Sequence, residues 1–103
     1  MDFLLSANWR EQVRYGEQKP SPQILKDDGQ IRVIVGGLRA GQSIPVHPEN
    51  KAIYHFLEGT GEMYVDDEVI PITPGATIFA PQDAKRGMRA DTQLAFLAVR
   101  ISE

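Results

Sequence analysis

The sequence predicts an all-β domain built from two packed sheets, and three observations carry that prediction. Apolar residues alternate with polar ones along short runs, the pattern of half-buried strands. Runs rich in β-branched and aromatic residues return at intervals of roughly ten residues. Between them stand turn signals: "RAGQ" (39–42), "EGTG" (58–61), "VDDE" (65–68), "TPGA" (73–76) and "PQDAKRG" (81–87). So many short strands in so short a chain need a closed or double-sheet arrangement, because open strand edges invite aggregation. A jelly roll meets that need and leaves an interior able to hold a small ligand.

The chain divides into an N-terminal edge segment, residues 1–29, and a barrel core, residues 30–101, within a single domain of 103 residues. "SANWREQVRYGEQ" predicts a short helical turn capped by Ser6 or Asn8, followed by an edge strand over "QVRYG". The prolines of "KPSPQILKDDGQ" hold their neighbours extended. Its "KDDGQ" predicts a hairpin turn in which Asp-Gly supplies positive φ. Strand candidates then follow: "QIRVIVGGL" (30–38), "KAIYHFLEG" (51–59), "GEMYVDDEVIPI" (61–72), "ATIFAP" (76–81) and "TQLAFLAVRIS" (92–102). The first has an Arg within the run and a Gly pair at its end.

Composition narrows the function classes. Net charge is −3 with the basic residues scattered, so no electrostatic footprint for nucleic acid is present. Cysteine is absent, which excludes disulfides, thiolate catalysis and cysteine-ligated zinc, and fits a reducing cytoplasm. No apolar run approaches the length of a membrane helix, and "MDFLLSANWREQ" does not read as a secretory signal. The expectation is a soluble cytoplasmic protein without nucleic-acid or membrane partners.

Gly41, five residues and His47 open a pattern that "YHFLEGTGEM" closes, and Gly75, five residues and Pro81 open a second. These landmarks resemble the two motifs of the cupin superfamily, G(X)5HXH(X)3,4E(X)6G and G(X)5PXG(X)2H(X)3N, and most nearly a small single-domain bacterial cupin. The resemblance spans about residues 30–101 and implies a double-stranded β-helix, the cupin jelly-roll barrel. It also implies a metal site of two histidines and a glutamate from the first motif plus a histidine from the second. Counted forward from Gly41, His47 is the first histidine and Glu49 stands in the second's place. Counted back from Gly59, Ala52 holds the glutamate position, His47 becomes the second histidine and Pro45 replaces the first. In the second motif Asp83, Arg86 and Ala90 replace the glycine, histidine and asparagine. Three of the four ligands implied by the family are altered.

His47 is the sharpest site candidate, a pocket histidine fit for base chemistry or substrate hydrogen bonding, against the plain alternative of a histidine satisfied by backbone. Glu49 and Arg86 have three readings: an ion pair filling the vacated site, an Arg86 free to clamp an anion, or an Arg86 on a solvated loop. If Ala52 faces inward, Tyr54 and Phe56 do too, and His55 faces out. Tyr54 then brings a hydroxyl to the interior, serving as acid or simply as core. Met63, Val65, Ile78, Met88, Phe96 and Ala98 complete the apolar interior. The site expected is His47 and Tyr54 as catalytic pair, with Glu49, Arg86, Phe56 and Met88 contacting the ligand.

The leading expectation is a small polar or anionic molecule bound in the barrel with no tightly held metal, and possible chemistry of isomerase, epimerase or lyase type. A metal-dependent cupin using His47 and Glu49 for Mn, Fe, Ni or Zn stays open, as does a non-catalytic structural or sensory module. Whether the chain is an enzyme is left open. Family habit, together with the outward residues Ile53, His55 and Leu57, points to a homodimer. Trp9, Phe3 and Leu4 lie in a segment too short for its own core and must pack elsewhere.

Overall fold

The computed structural model describes residues 3–102. A 3-10 turn at Trp9–Glu11 precedes nine strands: β1 (Gln23–Asp27), β2 (Ile31–Leu38), β3 (Ser43–Pro48), β4 (Ala52–Glu58), β5 (Gly61–Val65), β6 (Glu68–Ile72), β7 (Thr77–Ala80), β8 (Lys85–Ala90) and β9 (Leu94–Ile101). They form a five-stranded sheet in the order β1-β2-β9-β4-β7 and a four-stranded sheet in the order β3-β8-β5-β6. All pairings are antiparallel. The predicted all-β double-sheet barrel is the observed fold, the double-stranded β-helix.

Local chemistry explains most of the boundaries. Asn8 caps the N-terminal turn, its side chain accepting from the Arg10 amide at 3.0 Å. Asp27 and Asp28 accept from the amides of Gly29, Gln30 and Ile31, and Gly29 has φ +90°, so the "DDG" turn closes the β1–β2 hairpin. The edge strand expected over "QVRYG" is reduced to a single bridge between Arg14 and Ser21. Both prolines of β3 and the one in β6 sit on sheet edges, where a missing amide costs no ladder bond.

Two strands depart from the sequence reading. β3 is not among the strand candidates that the sequence offers. β8 begins inside "PQDAKRG", where a turn was expected through residue 87. "KRGMRA" is polar, glycine-containing and lacks clean alternation, so it carries little strand signal of its own. Its glycine has a use: a Cβ on Gly87 would stand 2.6 Å from the Ile44 carbonyl. The β3–β8 register shifts there, between Ile44 and His47.

The main core fills the space between the sheets. Ala52, Tyr54 and Phe56 are buried while Ile53 is exposed, which confirms the inward parity expected for β4. Met63, Met88, Phe96 and Ala98 are buried there too, with Val65 and Ile78 partly buried against them. Gly36 leaves room for the Phe96 ring, whose atoms come within 2.5 Å of the Cβ it lacks. A second, smaller cluster lies on the outer face of the five-stranded sheet. There Val13, Val35 and Ala95 pack with Trp9, Tyr15, Leu25 and Leu57. The N-terminal segment thus finds its core on its own chain and covers part of the outer strip to which Leu57 belongs. Phe3 and Leu4 stay exposed.

Candidate functional site

Between the sheets a cavity of about 580 Å³ opens to solvent at one end. Its depth is apolar: Ile34, Ile44, Met63, Met88, Phe96 and Ala98, with Tyr54 beside them. Met63 and Met88 are cross-strand partners on β5 and β8. The Tyr54 and Phe96 rings face one another at 6.1 Å between centroids, tilted by 47°. Phe56 is fully buried behind Phe96 at 6.2 Å and does not reach the cavity surface. Of the residues expected to contact a ligand, His47, Tyr54, Arg86 and Met88 line this cavity, while Phe56 and Glu49 do not.

His47 stands half-exposed at the mouth. Its Nδ1 lies 2.9 Å from the Pro45 carbonyl and must donate its hydrogen there, since a carbonyl only accepts. Nε2 is then the basic nitrogen, with Glu49 Oε2 at 3.7 Å. The Glu49 carboxylate turns away from the cavity toward Arg100, at 3.5 Å, and accepts from the Asn50 amide.

Arg86 departs from the readings that sequence offered. It is 2% exposed, so it is not a surface side chain on a solvated loop. The ion pair with the Glu49 carboxylate is absent as well. Arg86 reaches the Glu49 backbone instead, with Nη2 donating to the carbonyls of Glu49 and Pro81 at 3.0 and 2.8 Å. Nη1 donates to the Asn50 carbonyl and Nε to that of Ala84. The guanidinium therefore ties the β3–β4 connection to the β7–β8 connection while presenting one side to the cavity. Its planar fork of donors suits this, because converging carbonyls demand fixed geometry.

The donors present do not fit the divalent metal that the family motifs imply. Among the described residues no three His, Cys, Asp or Glu side chains converge. The position of the second motif's histidine carries a buried cation, Arg86, and the one nearby carboxylate, Glu49, is already beside Arg100.

Two residues that the sequence reading did not assign to the site complete the mouth. Arg32 and Arg100 lie directly opposite one another on β2 and β9 and both line the cavity. Parity was the available signal: Arg32 shares a face with Ile34, and Arg100 shares one with Ala98 and Phe96. Arg32 binds Asp27 at 2.9 Å. The Gly29 amide and then Arg32 hold the Asp27 carboxyl below its usual range. With Lys19, His47 and Arg86, these make every ionisable side chain on the cavity wall basic except Tyr54, in a chain of net charge −3.

A family model described as a cupin domain matches residues 29–100. An RmlC-like cupin protein from Desulfovibrio desulfuricans is 31% identical, with 96% of this chain and 97% of that one covered and a TM-score of 0.86. A conserved protein of unknown function from Streptococcus pyogenes shares 20% identity over 100% of this chain and 91% of that one, also at a TM-score of 0.86. A predicted oxalate decarboxylase from Thermotoga maritima shares 24% identity over 82% and 81%, with a TM-score of 0.76. No curated protein matches the sequence. Among the described residues no helix is long and apolar enough to cross a membrane.

Proposed function

The chain belongs to the cupin family, and from that premise we propose that its barrel binds a small organic anion without a resident metal ion. One observation carries the reading: apart from the Tyr54 hydroxyl, the ionisable groups on the cavity wall are Lys19, Arg32, His47, Arg86 and Arg100, with no carboxylate among them. Low-dielectric walls lined by one sign of charge concentrate ligands of the other sign. The same charges oppose a divalent cation, which supports the metal-free reading over one built on His47 and Glu49. A volume of about 580 Å³ suits a small metabolite.

Beyond binding, two groups at the cavity are able to move protons, His47 through Nε2 and Tyr54 through its hydroxyl. Isomerase, epimerase or lyase chemistry on a bound anion would run between them. A homodimer belongs to the same reading. It is supported by Ile53 and Phe79, cross-strand partners that lie 40% and 59% exposed on the outer face of β4 and β7.

The test is a thermal-shift panel on protein dialysed against chelator, pairing small organic acids with their neutral alcohols or amides. Acids should stabilise the protein more than their neutral partners, and Met63→Trp, which fills the cavity, should remove the effect. Stabilisation that needs added Mn, Fe, Ni or Zn, or that ignores charge, would overturn the proposal.

A further inference from the structure

Arg32 and Arg100 face each other across β2 and β9. Like charges placed directly opposite in an antiparallel pair destabilise the sheet unless something neutralises them. Their neutralising carboxylates stand on one side only. Asp27 and Glu49 line a separate polar recess that Arg32 and Arg100 also border, and neither carboxylate reaches the barrel cavity. Each guanidinium therefore has a compensated outer side and an uncompensated side toward the cavity.

The two are not held alike. Arg32 is fixed by a close contact with Asp27, Nε at 3.0 Å and Nη2 at 2.9 Å from the same oxygen. Arg100 meets Glu49 only at 3.5 Å, and its Nε is buried with no hydrogen-bond partner. Arg100 is therefore held more loosely by its protein carboxylate than Arg32 is, and a ligand carboxylate is the acceptor whose geometry suits a guanidinium.

From Arg100 the inward face of β9 continues through Ala98 to Phe96, about 13 Å along the strand. At that depth Phe96 and Tyr54 stand near the Met63–Met88 pair. Thioether sulfurs and tilted rings favour an aromatic guest over a sugar, which would find only the Tyr54 hydroxyl as a polar partner at that depth.

Building on the anion-binding reading above, we propose that Arg32 and Arg100 form a carboxylate anchor, and that the ligand is an aromatic carboxylate whose ring lies on the methionine floor. The carboxylate meets the cavity-facing sides of the Arg100 and Arg32 guanidinium groups. The ring occupies the apolar depth. Arg86, bound to backbone carbonyls, supplies background charge and does not anchor.

The experiment titrates 3-phenylpropionate and the neutral 3-phenylpropan-1-ol by calorimetry into the wild-type protein and into Arg100→Met and Arg32→Met. Methionine keeps much of the apolar stem, and Arg32 on the outer rim is the safer variant should Arg100→Met fold poorly. The acid should bind the wild-type protein about tenfold or more tightly than the alcohol. Each substitution should erase most of that preference and leave alcohol binding within about twofold. Preference for the acid retained in both variants would overturn the anchor and leave the anion-binding barrel standing. Equal binding of acid and alcohol by the wild-type protein would overturn both. Acetate as tight as 3-phenylpropionate would overturn the aromatic class alone.

Discussion

Replacing Arg86 by Met tests the claim that this side chain holds the rim of the barrel together. The substitution keeps an unbranched stem and removes donors to four backbone carbonyls. Two of those carbonyls keep another donor: Glu49 accepts from the Asp83 amide at 2.9 Å and Pro81 from the Ala84 amide at 3.2 Å. The loss falls mainly on Asn50 and Ala84, and a buried carbonyl deprived of its donor costs about 1–3 kcal/mol. Removing a desolvated charge returns part of that. The expected net loss is about 3 kcal/mol, which lowers Tm by about 12 °C in a domain of this size. Arg86→Lys should recover little, because a compact ammonium cannot address carbonyls spread around a planar fork. Differential scanning calorimetry measures the shift, and amide exchange at Asp83 and Ala84 locates it. A fall in Tm below about 4 °C for Arg86→Met would refute the argument and show that the two connections hold themselves.

Other outcomes follow from the same geometry. Gly59 has φ +84° and a Cβ there would lie 1.9 Å from the Gln93 carbonyl, so Gly59→Ala should cost more than about 3 kcal/mol or prevent folding. Gly41 has φ +86° with open space around it, so Gly41→Ala should cost only about 1 kcal/mol; equal denaturation midpoints for the two variants would contradict this. Burial, followed by its hydrogen bond to Glu58, pushes the Tyr15 phenol up to about 12. The folded state thus holds this proton more tightly than the unfolded chain. The stabilisation is complete below pH 10 and is lost as pH rises toward 12. Screening at this half-exposed site keeps it to no more than about 1 kcal/mol. Urea melts at pH 9 and 11.5 should show a shallower alkaline loss in Tyr15→Phe than in the wild-type protein. Sedimentation velocity should show a dimer that Phe79→Asp shifts toward monomer, and a wild-type monomer at high concentration would remove the homodimer from the reading.

The fold was largely legible because its signals are local. Alternation in β4 indicated that Ala52, Tyr54 and Phe56 face inward, and the glycines at 29, 59 and 75 all adopt the positive φ that turns demand. Spacing from Gly41 and Gly75 marked the family motifs, and Arg86, with the residues at the first motif's ligand positions, showed that three of the four implied metal ligands are replaced. β3 and β8 were less legible, since edge prolines and a polar, glycine-containing run give weak strand signals and depend on partners for their structure.

What sequence alone determined was therefore the barrel, the inward parity of β4 and the replacement of three of the four ligands that the family implies. Which charge serves the cavity was decided only by the tertiary structure. Arg86 stood at a motif position and invited a role, yet the carbonyls that claim it come from residues up to 37 positions away. Arg32 and Arg100 belong to no motif, and they meet because β2 and β9 pair across most of the chain's length. Parity gives the face on which a side chain lies. It cannot say which acceptors already hold it, because those arrive from segments that only folding brings together.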